Sequence, residues 1–262
     1  MMKIGFIGMG NMAQALVTGW NGTRQREAEE ILAYAPHRKK LLDNAARLGF
    51  TAADSPRELV QAADIVIMAC KPYQVESVLA ETADVLKEKP LLSIALGWDL
   101  ARYHSVLGPG QRVRYVMPST PAEVGEGIFL LEDVHSLTEE EEEVSRLLFA
   151  GIGKVLVMPS HLMGIAGTIS GCGPAFADMI IEAFGDAGVK YGLPRDAAYA
   201  LASQMLLGAA KLQRDTGRHP AALKDAVCSP GGSTIRGVTA LEAHGLRAAC
   251  QAAIDAVMGY EK

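Results

Sequence analysis

The sequence predicts an α/β protein: a doubly wound sheet followed by an all-helical C-terminal domain. Three observations predict it. Short apolar runs alternate with helical patterns up to residue 157, the first run leads into a glycine-rich turn, and the strand signal ends after residue 159. Strands that alternate with helices indicate βαβ units on a parallel sheet. A chain of 262 residues has room for two domains, which we expect at 1–158 and 159–262.

The elements of the first domain follow from apolar runs and helical periodicity. The predicted strands are Lys3–Ile7, Ile31–Tyr34, Ile65–Met68, Leu91–Ile94, Val113–Val116 and Val155–Val157, with a weaker one at Gly127–Leu131. The predicted helices between them are Met12–Gly22, Lys39–Leu48, Pro56–Ala62 and Val75–Leu86. A further helix should begin after Thr138, which forms a capping-box pattern with Glu141. The acidic run 139–143 fits a helix start better than a cation site, because consecutive glutamates point around a helix.

The second domain consists of long stretches rich in Ala, Leu and Met. Helices are predicted at Ala175–Tyr191, Arg195–Gly217 and Leu246–Gly259, and Gly192-Leu193-Pro194 should end one helix and start the next. These helices are apolar on several faces, which indicates burial on more than one side. Subunit association would provide that burial, and a tight monomeric bundle is the alternative.

Composition excludes several classes of protein. The net charge is −5 and there is no dense Lys/Arg stretch, which argues against a nucleic-acid partner. No apolar run approaches the roughly 18 residues of a membrane span, so we expect no membrane partner. Cys70, Cys172, Cys228 and Cys250 lie far apart and the six histidines are scattered, so no metal site is predicted. We expect free thiols and a cytoplasmic protein.

The strongest motif is a strand that runs into Gly8-x-Gly10-x-x-Ala13 and then a helix. A dinucleotide site needs a tight turn at Gly8, no side chain at Gly10 where the pyrophosphate approaches, and a small residue at Ala13 where helix packs on strand. The phosphates would lie at the helix N-terminus. The motif predicts a Rossmann-type dinucleotide site.

The end of the second strand indicates which dinucleotide binds. NAD sites place an Asp or Glu there for the ribose 2′-hydroxyl. Here the chain reads Tyr34-Ala35-Pro36-His37-Arg38-Lys39-Lys40, with basic groups where a 2′-phosphate would need donors. This favours NADP. The alternative is that Arg38 to Lys40 are the exposed first turn of a helix.

Loops after the later strands should complete the cofactor cleft, because ligands of open α/β sheets lie outside the carboxyl ends of the strands. Ala69-Cys70-Lys71-Pro72 and Ala95-Leu96-Gly97 are two such loops, and Met117–Pro121 is a third, near the nicotinamide end. Lys71 is suited to contact ribose or phosphate, although an exposed loop lysine is the competing interpretation.

The helical half contains one unusual turn, Ser229-Pro230-Gly231-Gly232-Ser233-Thr234. It breaks a helix and starts another, which leaves N–H groups at the new N-terminus without intrahelical partners. Such a turn can hold a small carboxylate. A capped corner between helices is the alternative, but it would not require two glycines beside paired hydroxyl residues.

Residues 225–246, from Asp-Ala-Val-Cys-Ser-Pro-Gly-Gly-Ser-Thr-Ile to Ala-Leu-Glu-Ala-His-Gly-Leu, resemble the signature region of pyrroline-5-carboxylate reductases. The other segments that follow the order and spacing of that family are Gly8–Ala13, Ala69–Pro72, Met117–Pro121, Ser170–Phe176 and His219–Asp225. The resemblance covers essentially the whole chain. It implies hydride transfer from NADPH or NADH to the imine carbon of 1-pyrroline-5-carboxylate, which gives L-proline, the last step of proline biosynthesis. It also implies homodimers, or larger rings such as decamers.

The resemblance implies that Thr234 is catalytic and that its hydroxyl forms a hydrogen bond with the imine nitrogen. It also implies that Gly231, Gly232, Ser233 and Thr234 together bind the substrate. The motif and the resemblance together assign cofactor binding to Gly8, Met9, Gly10, Asn11, Met12, Ala35, His37, Arg38, Lys39, Ala69, Lys71, Pro72, Ala95, Leu96, Gly97 and Ser119. Three residues depart from the usual pattern of the family: Ser119, Cys172 and Ala35. Of these, Ala35 bears on cofactor preference because it lacks a hydroxyl for the 2′-phosphate.

Two rival functions share the glycine motif. A reductase for another cyclic imine or a 3-hydroxy acid would keep residues 3–13, but the hydroxy-acid enzyme needs a lysine on the first long interdomain helix, where only Lys190 occurs. A noncatalytic NADP sensor would keep the motif and lose the turn at Ser229–Thr234.

Overall fold

The computed structural model describes residues 2–23 and 29–259. The chain divides into two compact units, Met1–Gly171 and Cys172–Lys262. The first holds the sheet and the second is helical. The fold class predicted from the sequence is therefore confirmed.

The strands of the first unit are β1 (Met2–Ile7), β2 (Glu29–Tyr34), β3 (Thr51–Ala52), β4 (Ile65–Met68), β5 (Leu91–Ser93), β6 (Val113–Pro118), β7 (Gly127–Glu132) and β8 (Gly153–Met158). Its helices are α1 (Asn11–Asn21), α2 (Arg38–Leu48), α3 (Pro56–Ala62), α4 (Val75–Leu86), α5 (Leu100–Leu107), α6 (Glu139–Ala150) and α7 (Met163–Gly167). The predicted elements recur with ends shifted by one or two residues. The sequence analysis missed β3, a strand of two residues, and the helices α5 and α7.

The eight strands form one sheet in the order β3-β2-β1-β4-β5-β6-β7-β8. From β3 to β6 all neighbours are parallel, and so are β7 and β8. The pair β6 and β7 is antiparallel, which departs from the parallel sheet that the alternation predicted. The connection 119–126 holds only a short 3₁₀ turn at Thr120–Val124. A parallel crossover needs about a dozen residues or more, so this connection is too short for one and the two strands pair antiparallel.

Both faces of the sheet are covered. Ile4 and Phe6 of β1 belong to a core cluster that includes residues of α1, α2 and α6. Ile7 belongs to a second cluster, which includes residues of α3, α4 and α5. Alternate residues of one strand therefore enter two different cores, which is why the central strands read as continuous apolar runs.

Local capping sets where several helices begin. Thr138 accepts a hydrogen bond from the N–H of Glu141 (3.2 Å), and the Glu141 carboxylate accepts one from the N–H of Thr138 (3.0 Å). The capping box predicted for α6 is therefore present. Helix α5 begins after Asp99, whose side chain accepts from the N–H of Arg102 (2.9 Å).

The second unit consists of α8 (Gly173–Lys190), α9 (Arg195–Thr216), α10 (Pro220–Ala226), α11 (Ser233–Ala243) and α12 (Leu246–Met258). The predicted break between α8 and α9 is present, with Gly192 at φ +95° and Pro194 just before α9. In these helices only Gly185, Ala198 and Ala202 are buried among the residues that the structure describes. Large apolar side chains are correspondingly exposed, among them Met179, Leu201, Leu207 and Val257.

Among the residues that the structure describes, one helical stretch, Ser160–Lys190, is long and apolar enough to cross a membrane by length and composition; the sequence analysis expected no such stretch. Within it, Asp178, Glu182 and Asp186 recur at intervals of four residues along α8. That spacing places the three carboxylates on one face of the helix.

Candidate active site

The glycine turn after β1 lies against the end of β4. The Gly8 N–H donates to the carbonyl of Tyr34 at the end of β2 (2.8 Å), and the Ala69 N–H donates to the carbonyl of Ile7 (2.8 Å). Gly8 has φ +105°, and a Cβ atom there would lie 2.5 Å from the backbone nitrogen of Cys70. Only glycine fits this position, because both the backbone conformation and the space exclude a side chain.

Gly10 differs from Gly8 because its open side faces no protein atom. A Cβ atom on Gly10 would meet nothing within 4 Å. Gly10 is the N-cap of α1 and gives that helix no side-chain cap, so the first-turn N–H groups stay available. This opening at a helix N-terminus fits a dinucleotide pyrophosphate. Ala13 is buried, as the motif requires.

The segment after β2 presents the predicted basic residues. His37, Arg38 and Lys39 are exposed, and His37 is the N-cap of α2. Arg38 is already engaged by the protein: its guanidinium donates to the Ala53 carbonyl (2.8 Å) and forms an ion pair with Asp54 (2.5 Å). A 2′-phosphate at this edge would therefore compete with Asp54 for Arg38. Ala35 is partly buried at the end of the strand.

The loops after β4 and β5 follow adjacent strands and lie at the same edge of the sheet. Lys71 is exposed, and its backbone N–H donates to the side-chain oxygen of Gln74 (3.2 Å). In the second loop Ala95 is buried, while Leu96 is 68% exposed and Gly97 has φ +74° with open space on its Cβ side. The two loops therefore present an exposed lysine, an exposed leucine and an open glycine at this edge of the sheet.

Cys70 lies in the first of these loops and is partly buried. Burial raises the pKa of its thiol to about 11, because desolvation disfavours the thiolate. Cys70 is therefore a neutral thiol at physiological pH, and it adds no charge beside the glycine turn.

Ser119 follows β6 and is almost fully buried. Its hydroxyl oxygen accepts a hydrogen bond from the N–H of Ile128 on β7 (2.8 Å). The side chain thus helps to fix the antiparallel β6–β7 corner. The hydroxyl keeps its O–H donor and its second lone pair, so a cofactor contact by Ser119 would use one of these or the backbone.

The turn that the sequence analysis identified in the second unit joins α10 to α11. Gly231 has φ +69°, and a Cβ atom on Gly232 would lie 2.4 Å from the hydroxyl oxygen of Ser229. Gly232 is the N-cap of α11 and provides no side-chain cap. Ser233 and Thr234 are the first two residues of α11, and both are exposed. The arrangement offers uncapped N–H groups and a hydroxyl at one helix N-terminus, which suits a small carboxylate.

A π-helical turn, Thr168–Cys172, joins α7 to α8. Such turns are rare and often lie at functional sites. Ser170 in this turn is buried and its hydroxyl has no hydrogen-bond partner. The sequence singled out this segment only through its resemblance to the family.

Sequence reasoning also missed Trp98. It follows Gly97 directly and is fully buried, and its indole N–H donates to the carbonyl of Pro72 (3.0 Å). An apolar residue after a loop carries no signal for such a contact, which joins positions 26 residues apart.

Within the described ranges, no group of three or more His, Cys, Asp or Glu side chains is arranged to hold a metal ion.

Two family models match the chain. One, described as pyrroline-5-carboxylate reductase dimerisation, covers residues 160–262. The other, described as NADP oxidoreductase coenzyme F420-dependent, covers residues 3–97. The chain is therefore an NAD(P)H-dependent oxidoreductase whose helical region matches a dimerisation model.

Whole-chain comparisons agree with these models. The chain is 41% identical to the pyrroline-5-carboxylate reductase of Treponema pallidum over 261 residues, which is 98% of this chain and 99% of the relative. It is 39% identical to the Escherichia coli enzyme of the same name, over 94% of this chain and 92% of the relative. The NADP-bound pyrroline carboxylate reductase structure of Plasmodium falciparum superposes with a TM-score of 0.86 at 30% identity, over 98% of this chain and 96% of that one. The resemblance read from the sequence is thus confirmed, and the chain belongs to the pyrroline-5-carboxylate reductase family.

Proposed function

We propose that the chain reduces 1-pyrroline-5-carboxylate to L-proline with NADPH as the preferred cofactor and NADH as a slower one. The observation that carries this proposal is the 41% identity to a named pyrroline-5-carboxylate reductase over 98% of the chain. The glycine turn supports it independently, because Gly10 leaves open space at an uncapped helix N-terminus.

The first unit would hold the cofactor. Gly8 would shape the turn, since its own N–H donates to the Tyr34 carbonyl, and the backbone N–H groups of Met9–Met12 would bind the pyrophosphate. The open side of Gly10 would allow a close approach. His37, Arg38 and Lys39 would contact the adenosine ribose and its 2′-phosphate, which favours NADPH over NADH. The remaining proposed cofactor contacts, from the loops after β2, β4, β5 and β6, are Ala35, Ala69, Lys71, Pro72, Ala95, Leu96, Gly97 and Ser119.

The second unit would hold the substrate. The N–H groups of Gly231 and Ser233 would bind the substrate carboxylate at the uncapped helix N-terminus. Gly232 would shape this turn, since its own N–H already donates to the Ser229 carbonyl (3.0 Å). The Thr234 hydroxyl would hydrogen-bond the imine nitrogen and relay a proton to it from solvent. NADPH, when bound, supplies the hydride. The protein's own contribution is then to orient the ring and to keep its nitrogen protonated.

We also propose a division of labour along the chain. Residues 1–158 would form the cofactor domain, and residues 159–262 would form the substrate and dimerisation domain. The exposed apolar side chains of the helical unit support burial by a second copy, giving a dimer or a larger ring such as a decamer. The carboxylates spaced along α8 fit a protein contact better than lipid. A cytoplasmic location without membrane or nucleic-acid partners completes the proposal.

One assay tests the reaction. Purified protein is mixed with racemic 1-pyrroline-5-carboxylate and each reduced cofactor in turn, and loss of nicotinamide absorbance is followed. We expect oxidation of both cofactors, with a higher kcat/KM for NADPH, and proline as the product by mass spectrometry. Absence of oxidation with both cofactors would exclude the proposed reaction and direct attention to other cyclic imines.

A further inference from the structure

Trp98 connects the two loops that border the proposed cofactor cleft on one side of β1. Its indole N–H donates to the carbonyl of Pro72, in the loop after β4, at 3.0 Å. Trp98 itself ends the loop after β5, where its backbone N–H donates to the carbonyl of Ala95 (3.1 Å). One fully buried side chain thus links both loops.

Neighbouring side chains hold the indole in place. The Arg102 guanidinium lies over the ring, 4.1 Å from its centroid, and donates to the carbonyl of Gly97 (3.4 Å). It also pairs with Glu76 of α4, which follows the first loop (3.3 Å). On another side the Tyr103 ring lies 5.1 Å from the indole, centroid to centroid. The Tyr103 hydroxyl donates to the hydroxyl oxygen of Ser93 at the end of β5 (3.2 Å).

The position of these loops in the sheet predicts which half of the cofactor they affect. The strand order is β2-β1-β4-β5 in this region, so the loop after β2 lies on one side of the glycine turn and the loops after β4 and β5 lie on the other. In sheets of this order a dinucleotide spans the turn, with its adenosine ribose near the end of the second strand. The nicotinamide half therefore falls on the β4–β5 side.

We infer that Trp98 is a positioning residue that sets the separation of the loops after β4 and β5, and through it the binding of the nicotinamide half of the cofactor. The inference rests on the proposed function only for the identity of the cofactor. Trp98 acts through Pro72 and Gly97 rather than by touching the ligand.

The test compares two matched substitutions, because the chain contains two tryptophans. Trp98→Phe keeps an aromatic ring and removes the indole N–H, which leaves the Pro72 carbonyl without that donor. Trp20→Phe is the control: Trp20 is also fully buried, and its indole N–H donates to the carbonyl of Leu148 (2.7 Å). Both variants lose the same kind of bond, and only the first loses it between the two loops.

Binding is measured without turnover, by titrating each protein with NADPH and separately with 2′,5′-ADP, which lacks the nicotinamide half. We expect Trp98→Phe to weaken NADPH binding about three- to tenfold, as loss of one ordering hydrogen bond implies, and to leave 2′,5′-ADP binding unchanged. Trp20→Phe should bind both ligands as the wild type does. Thermal unfolding of both variants shows that the comparison is made on folded protein.

Three results would overturn the inference: wild-type NADPH affinity in Trp98→Phe, an equal loss in Trp20→Phe, or a parallel loss of 2′,5′-ADP affinity. If Trp98→Phe does not fold, Arg102→Met serves instead, because it removes the stacking and the bond to Gly97 at a partly exposed position; it should weaken NADPH binding in the same selective way. Reduction of 1-pyrroline-5-carboxylate by the wild type is assayed separately. If the wild type reduces 1-pyrroline-5-carboxylate but the Trp98 variant shows no selective loss of NADPH affinity, only this inference is rejected. If the wild type does not bind NADPH, both proposals are rejected.

Discussion

The Cα hydrogen of Gly8 points at the backbone of Cys70, because a Cβ atom on Gly8 would lie 2.5 Å from the Cys70 nitrogen. It would also lie 2.6 Å from the carbonyl oxygen of Ala69. Real Cβ atoms essentially never approach backbone so closely, and backbone atoms cannot move aside as the end of a flexible side chain can. The turn after β1 and the end of β4 are therefore packed against each other through this glycine.

Gly8→Ala should destabilise the protein and weaken cofactor binding together. The added methyl group meets the backbone of residues 69 and 70 at a residue with φ +105°, so both steric overlap and backbone strain contribute. We expect a loss of about 1–3 kcal/mol in the free energy of unfolding from backbone strain of this kind. Urea unfolding and NADPH titration measure the two effects, and wild-type values for both would contradict the packing described here.

Gly10→Ala provides the contrasting case. A methyl group on Gly10 meets no protein atom within 4 Å, and Gly10 has a negative φ of −77°. The stability should therefore fall by no more than about 1 kcal/mol, the cost of alanine in place of glycine at an N-cap. NADPH binding should weaken by about tenfold or more, because the methyl group occupies space proposed for the pyrophosphate. Unchanged NADPH affinity in a folded Gly10→Ala protein would remove this turn from the cofactor site.

Thr234→Ala should lower kcat for 1-pyrroline-5-carboxylate reduction substantially while NADPH binding stays intact. The reason is that the hydroxyl at the start of α11 is proposed to orient and protonate the imine nitrogen, a role worth about 10²-fold or more in general acid catalysis. Steady-state kinetics and NADPH titration measure the two quantities.

Thr239→Ala is the matched control for that experiment. Thr239 lies on the same helix, and its hydroxyl donates to the carbonyl of Ile235 (2.9 Å). This variant should keep the wild-type kcat. If Thr234→Ala also turns over at the wild-type rate, Thr234 has no part in the mechanism.

Cys70 should react slowly with iodoacetamide until the pH is high. Burial raises the pKa of its thiol from 9.0 to about 11, so little thiolate exists near neutral pH. Because the folded state holds this proton more tightly than the unfolded state, the thiol contributes to stability below about pH 9. That contribution is lost as the pH rises through about 11.

Mass spectrometry of tryptic peptides gives the alkylation rate at each cysteine as a function of pH. Cys70 of the same protein unfolded in urea serves as the reference. Cys70 should be alkylated much more slowly in the folded protein than in the unfolded protein near pH 8, with a rate that is still rising above about pH 10. Equal rates in the folded and unfolded protein would contradict the burial of Cys70.

The sequence predicted most of the first unit because its signals are local. The apolar runs at Lys3–Ile7 and Ile65–Met68 and the cap at Thr138 each depend on neighbouring residues, and each has its counterpart in the structure. The antiparallel pairing of β6 with β7 was not predicted, since a run of apolar residues does not encode strand direction. The role of each site residue remains a prediction, which the experiments above test.

The sequence alone determined the alternation of strands and helices, the glycine turn before α1 and the glycine-rich turn before α11. These features are local, because steric limits on backbone conformation act within a few residues. Only the tertiary structure decided which distant atoms those turns meet: the Cys70 backbone at Gly8, the Ile128 N–H at Ser119 and the Pro72 carbonyl at Trp98. Such contacts depend on how the strands are ordered in the sheet, and that order results from burial summed over the whole core rather than from any short segment.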